Sequence, residues 1–240
     1  MSASVTPFNR GVVNPIDCYK AGWNLIKERY WLFMGISAVG ILLGSVAPMG
    51  LLLGPMMCGI FFCLFAHIRG EKVSLEMLFK GFDYFSQSLI ATLVQIIPVF
   101  LVALPVYVIF FIMFMGKMNA PRGRGTRGAP PVDPSELVPM FAVMGALVLV
   151  VLLVSVIVGA FFMFTYPLIV DRRLAALDAI KTSIRAALGN LGGVIGLVAL
   201  NLVLGFAGML LCYVGAFLVL PIGFAAWAVA YRRVFPAQTT

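Results

Sequence analysis

Charged side chains avoid four long stretches of this chain, and that pattern sets the first expected elements. Tyr30–Ile68, Tyr84–Gly116, Leu137–Val170 and Ala186–Tyr231 contain no Asp, Glu, Lys or Arg over 39, 33, 34 and 46 residues. A helix crosses a membrane with about 20 apolar residues, so each run exceeds what a buried soluble helix needs. The first run divides at "SVAPMG", where Pro48 and Gly50 suit a tight turn. That gives spans near 31–47 and 51–68, and the last run gives spans near 192–207 and 211–231. The two middle runs are each too short for two spans and are read as one long or tilted helix. Pro98 and Pro105 are candidate kinks in the third span, and Pro167 is the expected end of the fourth. The expected fold is all-α: a polytopic bundle of six transmembrane helices in three hairpins, within a single membrane domain spanning residues 1–240.

Between the runs lie shorter segments in which apolar and polar residues alternate with a helical period. In "NPIDCYKAGWNLIKERYW", Asn14 is a candidate N-cap, Pro15 suits the first helical position and Asp17 favours the N-terminal dipole. Ile16, Tyr19, Trp23, Ile26 and Tyr30 line one face, opposite Asp17, Lys20, Asn24 and Lys27. In "SLEMLFKGFDYFSQ", Ser74 is the candidate cap, Glu76 and Lys80 are spaced i,i+4, and Leu75, Leu78, Phe82 and Phe85 form the apolar side. In "DRRLAALDAIKTSIRAAL", Leu177, Ile180, Ile184 and Leu188 face away from Asp178, Lys181, Thr182 and Arg185. All three read as interfacial helices that lie in the headgroup plane, with basic side chains snorkelling toward water and anionic lipid. Lys20, Lys27, Lys80, Arg172, Arg173, Lys181 and Arg185 are the expected headgroup contacts. The chain thus divides into three repeat-like units, 14–70, 74–170 and 172–233, each an interfacial helix followed by a hairpin. Asp17, Lys20, Gly35 and Pro55 of the first match Asp178, Lys181, Gly196 and Pro221 of the third.

Charge then orients the spans. With six of them, thirteen of the Lys and Arg residues fall on the side of the two chain ends and four, Lys117, Arg122, Arg124 and Arg127, on the other. By the positive-inside rule both ends are expected in the cytoplasm. The net charge of +8 is therefore a topology signal, and no nucleic-acid partner is expected. Overall composition agrees: 62% hydrophobic, 11% charged, mean hydropathy +1.06, against about a quarter charged in soluble domains. "MSASVTPFNR" lacks the apolar core of a signal peptide, so it is expected to be retained. Cys58, Cys63 and Cys212 lie in apolar runs and Cys18 near an interface, as small apolar packers rather than a disulfide or metal framework.

"YPLIVDRRLAALDAIKTSIRAALGN" and "LCYVGAFLVLPIGFAAWAVAYRRVF" resemble the second half of a broad group of bacterial integral membrane proteins without an established activity. The shared pattern falls here on Pro167, Asp171, Ala179, Ser183, Cys212, Gly215, Pro221, Ala228, Tyr231 and Arg232. "VSLEMLFKGFDYF" is similar to the segment before that group's third span. The resemblance covers most of the chain except the Arg/Gly/Pro loop; it implies a fold and a bacterial inner-membrane location, without a reaction.

Little in the chain points to catalysis. The spans lack the mid-membrane acid or base that ion-coupled transporters use. Their most polar residues are Gln95 and Asn201, followed by Ser37, Thr92 and Ser155, which more often bond across helices than bind a substrate. His67 is the sole histidine, with Cys63 one turn earlier but no third orienting group, so neither a catalytic residue nor a metal or cofactor site is expected. Glycines such as Gly54, Gly59, Gly192 and Gly196 suit close helix approach. The Pro- and Gly-rich loop 116–136 reads as a flexible connector or, through Arg122, Arg124 and Arg127, as a contact for an outer partner. The leading expectation is a non-enzymatic scaffold, accessory subunit or self-assembling organiser, with lipids and either a second copy or a membrane-protein partner. The alternative is a channel or permease for a small uncharged or lipophilic solute.

Overall fold

A computed structural model describes residues 7–46, 50–118, 134–210 and 214–236, with positions 114, 117–118, 134–140 and 214 described by backbone alone. The described residues are mostly helical, without a strand. The order is α1 (Pro15–Ile26), a 3-10 turn (Lys27–Arg29), α2 (Tyr30–Val46), α3 (Leu53–Ile68) and a 3-10 segment (Leu75–Tyr84). Then come α4 (Phe85–Met118), α5 (Pro134–Phe162), α6 (Thr165–Arg172), α7 (Ala176–Gly189), α8 (Leu191–Leu210) and α9 (Val214–Val234). Residues 47–49, 119–133 and 211–213 lie outside the description, and with them the turn at Pro48, Cys212, Arg122, Arg124 and Arg127.

Five helical stretches are long and apolar enough to cross a membrane: Pro15–Val46, Leu75–Met113, Phe141–Arg172, Leu191–Leu210 and Gly215–Val234. The remaining apolar helix, α3, has 16 residues. At 1.5 Å per residue it measures about 24 Å, short of the roughly 30 Å hydrocarbon thickness. It is instead largely enclosed: Met56, Ile60, Phe61, Leu64 and Phe65 are all fully buried. The chain is an all-helical membrane protein in which the short apolar helix α3 is largely buried.

The chain divides into two compact units, Met1–Gln95 with Gly159–Thr240, and Ile96–Val158. Within the first unit the three interfacial segments pack in a cyclic order. α1 lies on α9, the 3-10 segment lies on α3, and α7 lies on α6. Each therefore rests on the last helix of the preceding sequence unit. Close approach requires glycine at the crossings: a Cβ on Gly22 would stand 2.7 Å from the Ala226 amide nitrogen. One on Gly59 would overlap the Leu78 carbonyl oxygen, and one on Gly81 the Pro55 carbonyl oxygen. Gly35 and Gly192, by contrast, face open space.

Details of local structure depart from the sequence reading. The cap at Asn14 forms, its side-chain oxygen accepting the Asp17 N–H at 3.3 Å, with Pro15 opening α1. Ser74 makes no such cap, and the segment after it winds as a ten-residue 3-10 helix rather than an α-helix. Its buried residues are Leu78 and Gly81, three apart as 3-10 geometry requires, while Leu75, Phe82 and Phe85 are exposed. Pro167 does not end a helix. The break falls at Met163–Phe164, and Pro167 sits in the first turn of α6, where its missing N–H has no intrahelical partner to lose. The stretch from Asp171 to Leu188 is likewise two helices, parted at Arg173, whose φ of 50° and ψ of 35° are left-handed. α7 packs through Ala176, Ala179, Ile180, Ser183, Ala186 and Ala187, leaving Leu177 and Leu188 exposed beside the polar face. That surface has a small-residue face for protein, an apolar face for lipid and a charged face for water.

The ends of the first unit's elements are tied together at one end. Asn9 N–H donates to the Val234 carbonyl at 2.9 Å and the Asn9 amide nitrogen to the Arg233 carbonyl at 3.2 Å. Asn190 accepts from Val12 N–H at 3.0 Å and returns a bond to the Asn9 carbonyl at 3.0 Å. His67 Nε2 lies 2.9 Å from the Leu25 carbonyl, which can only accept, so the ring proton is on Nε2. In the turn after α3, Arg69 bonds Glu71 at 2.6 Å and holds that carboxyl below its ordinary range.

The second unit comprises the inner lengths of α4 and α5. Pro98 and Pro105 lie inside α4, where the carbonyls of Val94 and Leu101 lose their i+4 donors. Val106, Tyr107 and Phe110 face Met144, Val148 and Leu152 across an apolar cavity of about 240 Å³.

Candidate functional site: a polar-lined cavity in the first unit

α2 and α3 meet α4, α6, α8 and α9 around a cavity of about 270 Å³. That is at the small end of ligand-sized cavities, about 300–1,000 Å³. Its wall is mostly apolar, including Ile41, Leu53, Met57 and Phe224, and none of its lining residues is charged. Three side chains interrupt it with amide or indole groups: Gln95 on α4, Asn201 on α8 and Trp227 on α9. The two residues singled out as the most polar of the spans thus line one cavity.

Each is held from behind. Tyr19 of α1 donates to Asn201 Oδ1 at 3.1 Å. Asn201 in turn reaches Gly223, where a Cβ would stand 2.7 Å from the same oxygen. Gln95 Oε1 accepts from Tyr166 at 3.1 Å. The Tyr166 hydroxyl also lies 3.0 Å from Thr92 Oγ1, and Thr92 donates to the Ser88 carbonyl at 2.8 Å. Two hydroxyl hydrogens therefore serve three contacts. Rotating the Gln95 amide by half a turn supplies the third hydrogen and turns its oxygen away from Tyr166. Trp227 is different: its indole nitrogen is buried and has no hydrogen-bond partner. Buried donors are almost always satisfied, so an orphan N–H on a residue lining a cavity is a notable exception. Next to the cavity, Pro221 interrupts the bonding of α9, and Tyr30 donates to the Leu218 carbonyl at 2.6 Å.

A second polar cluster lies at the end of the unit where Asn9 meets Arg233 and Val234. Asp171 Oδ2 accepts from Tyr231 at 2.8 Å and lies 3.3 Å from Arg172 Nε, and Asp171 Oδ1 lies 2.9 Å from Arg232 Nη2. The Arg232 guanidinium also stacks 4.6 Å above the Phe65 ring, and Arg172 donates to the Pro236 carbonyl at 2.7 Å. Asp171, Tyr231 and Arg232, positions that carried the family resemblance, are thus in direct contact. The cluster joins α6 to α9 and to the chain end.

The expected headgroup contacts separate into two kinds. Lys20, Lys27, Lys80, Arg173, Lys181 and Arg185 are exposed, with Lys80 Nζ 5.5 Å from the Phe62 ring centre. Arg172 is 11% exposed and engaged with Asp171. Ser37 is buried, and Ser155 donates to the Val151 carbonyl at 2.8 Å, one turn back on its own helix. Cys63 is fully buried, and the His67 ring bonds the Leu25 carbonyl. Among the described residues no three His, Cys, Asp or Glu side chains are grouped to hold a metal. Tyr166 and Trp227 escaped the sequence reading, and Tyr19 figured in it only on the apolar face of α1. Each is an aromatic in an apolar setting, and only the helix crossings reveal that their polar ends converge. Compared with protein families, curated proteins and solved structures, the chain matches none.

Proposed function

We propose that the protein is a non-enzymatic carrier or permease for a small, uncharged, lipophilic solute bearing a hydrogen-bond acceptor. The observation that supports this reading is an uncharged cavity lined by Gln95, Asn201 and Trp227, the last with a buried indole N–H that has no hydrogen-bond partner. An uncharged lining suits an uncharged solute, since an ion there would go unpaired at high cost. Apolar walls with a few placed polar groups are the usual recipe for orienting such a molecule. In this reading six helices lie across a bacterial inner membrane, α3 being the short, enclosed one, and both chain ends face the cytoplasm.

The test is native mass spectrometry of gently extracted protein, followed by flux of the retained molecule in liposomes. A small molecule retained by the wild type and lost in Trp227→Phe and Asn201→Leu supports the reading. A cavity empty of anything but detergent and water, with no flux of small lipophilic solutes, overturns it.

A second reading is supported by the cyclic packing of the interfacial segments, which assembles a broad amphipathic surface. Such a surface suits an organiser of lipids or of neighbouring proteins. Under that reading the same mass spectra carry a defined homo-oligomer or a stoichiometric protein partner.

A further inference from the structure

A second, open cavity of about 470 Å³ lies at the start of α4, where the 3-10 segment meets the end of α6. Its wall includes Asp83, Tyr84, Ser86, Gln87 and Arg173. Two hydrogen bonds brace the elements on either side. Tyr84 donates to the Val170 carbonyl at 3.5 Å, and Gln87 Oε1 accepts the Ala176 N–H at 2.8 Å. The cavity is thus a built gap between pinned elements.

Its charges have an unusual relation. Asp83 and Arg173 line the same space, yet no ion pair joins them, and neither is paired with another described residue. The neighbours of Arg173 are committed elsewhere: Asp171 and Arg172 bond each other, and Asp171 bonds Arg232 and Tyr231. Arg173 is also the only described non-glycine residue with positive φ. That conformation ends α6 and places Arg173 in the cavity wall, and non-glycine residues in it cluster at functional sites. An unpaired Asp and an unpaired Arg lining one open cavity match a ligand carrying both charges.

We propose that this cavity binds the headgroup of a phospholipid carrying a phosphate and a primary ammonium, of the ethanolamine type. The Arg173 fork takes two of the phosphate oxygens, since the planar guanidinium bonds oxyanions in pairs. The Ser86 hydroxyl adds a donor on the same group. Asp83 takes the ammonium, whose N–H donors also suit the free lone pair of Gln87 Oε1 and the Tyr84 oxygen. A choline headgroup lacks those N–H donors, and a glycerol headgroup brings no cation to Asp83. The site is separate from the solute cavity and stands whether or not that reading holds.

Delipidated full-length protein is to be titrated with phosphatidylethanolamine, phosphatidylglycerol and phosphatidylcholine of identical acyl chains, and lipid retention read by native mass spectrometry. The ethanolamine lipid should bind about threefold or more tightly than either other lipid, as one exposed ion pair contributes. Asp83→Asn should lower ethanolamine-lipid binding and raise phosphatidylglycerol binding, reversing their order. Arg173→Gly should weaken both, with Arg173→Gln as the second variant if the first does not fold. Equal retention of the three lipids by the wild type, or an order unchanged in Asp83→Asn, overturns the proposal. Full displacement by soluble glycerophosphoethanolamine at matched concentration would make the ligand a free phosphoamine and overturn the lipid assignment.

Discussion

Asp171 and Tyr231, sixty residues apart in the chain, meet through a 2.8 Å hydrogen bond at the seam between α6 and α9. The same carboxylate holds Arg232, so one acidic side chain joins two helices at the point where they leave the apolar interior. Asp171→Ala would strand a guanidinium stacked on Phe65 and leave the Tyr231 hydroxyl without its partner. Removing one member of a largely buried pair costs about 3 kcal/mol. A clearly lowered unfolding midpoint in detergent is expected, with Asp171→Asn intermediate because it still accepts from Tyr231.

The crossing of α1 and α9 is set by contact at Gly22. A methyl group there would meet the backbone of Ala225 and Ala226, so Gly22→Ala should destabilise by about 1–3 kcal/mol through overpacking. Gly35→Ala is the matched comparison. It faces open space, and replacing glycine inside a helix should stabilise by about 0.5–1 kcal/mol. Opposite signs in the two unfolding midpoints are the expected result.

Trp227→Phe keeps most of the ring and deletes the unpartnered N–H. The empty protein should gain about 1–2 kcal/mol, the desolvation cost of an unsatisfied donor. Retention of the solute should fall in the same variant. Greater stability with weaker binding is a combination that a merely structural tryptophan would not produce.

His67→Ala frees the Leu25 carbonyl where α1 passes into its 3-10 turn. A loss of about 1 kcal/mol is expected. Hydrogen exchange should quicken at the α1–α2 junction before it does in α8, because the junction loses its hydrogen bond to α3.

Arg173→Gly relaxes a left-handed backbone position and should raise stability by about 1 kcal/mol. Read beside the lipid titration, this variant separates backbone comfort from headgroup recognition: the chain unfolds later while lipid discrimination fades.

The elements most legible in the sequence were those with a local physical cause. Asn14 and Pro15 mark the start of α1 because capping and a preset φ act within one turn. Gln95 and Asn201 stood out because amides are rare in apolar runs, and both line the cavity. What stayed hidden depends on distant backbone. Leu75–Tyr84 carries a helical period, but contact between Gly81 and the α3 backbone accompanies a 3-10 winding that no local pattern announces. α7 looked two-faced because alanine is neutral in such a reading, although Ala176, Ala179, Ala186 and Ala187 form its packing face. Trp227 and Tyr166 looked like ordinary packing residues, and their polar atoms acquire meaning only where α4, α6 and α9 converge.

The strap before α1 has a consequence for how the molecule is made. Asn9 bonds Arg233 across a separation of 224 residues, and α1 rests on α9. At about 5–20 residues per second, roughly 10–45 s of synthesis separate these partners. During most of that interval Tyr19 lacks Asn201 of α8, and throughout it Gly22 lacks the α9 backbone it packs against. Nascent chains must therefore be shielded by lipid or by the insertion machinery until α9 emerges. A ribosome stalled before α9 would leave a chain with its first helix still uncovered, the kind of signal that membrane quality-control proteases read.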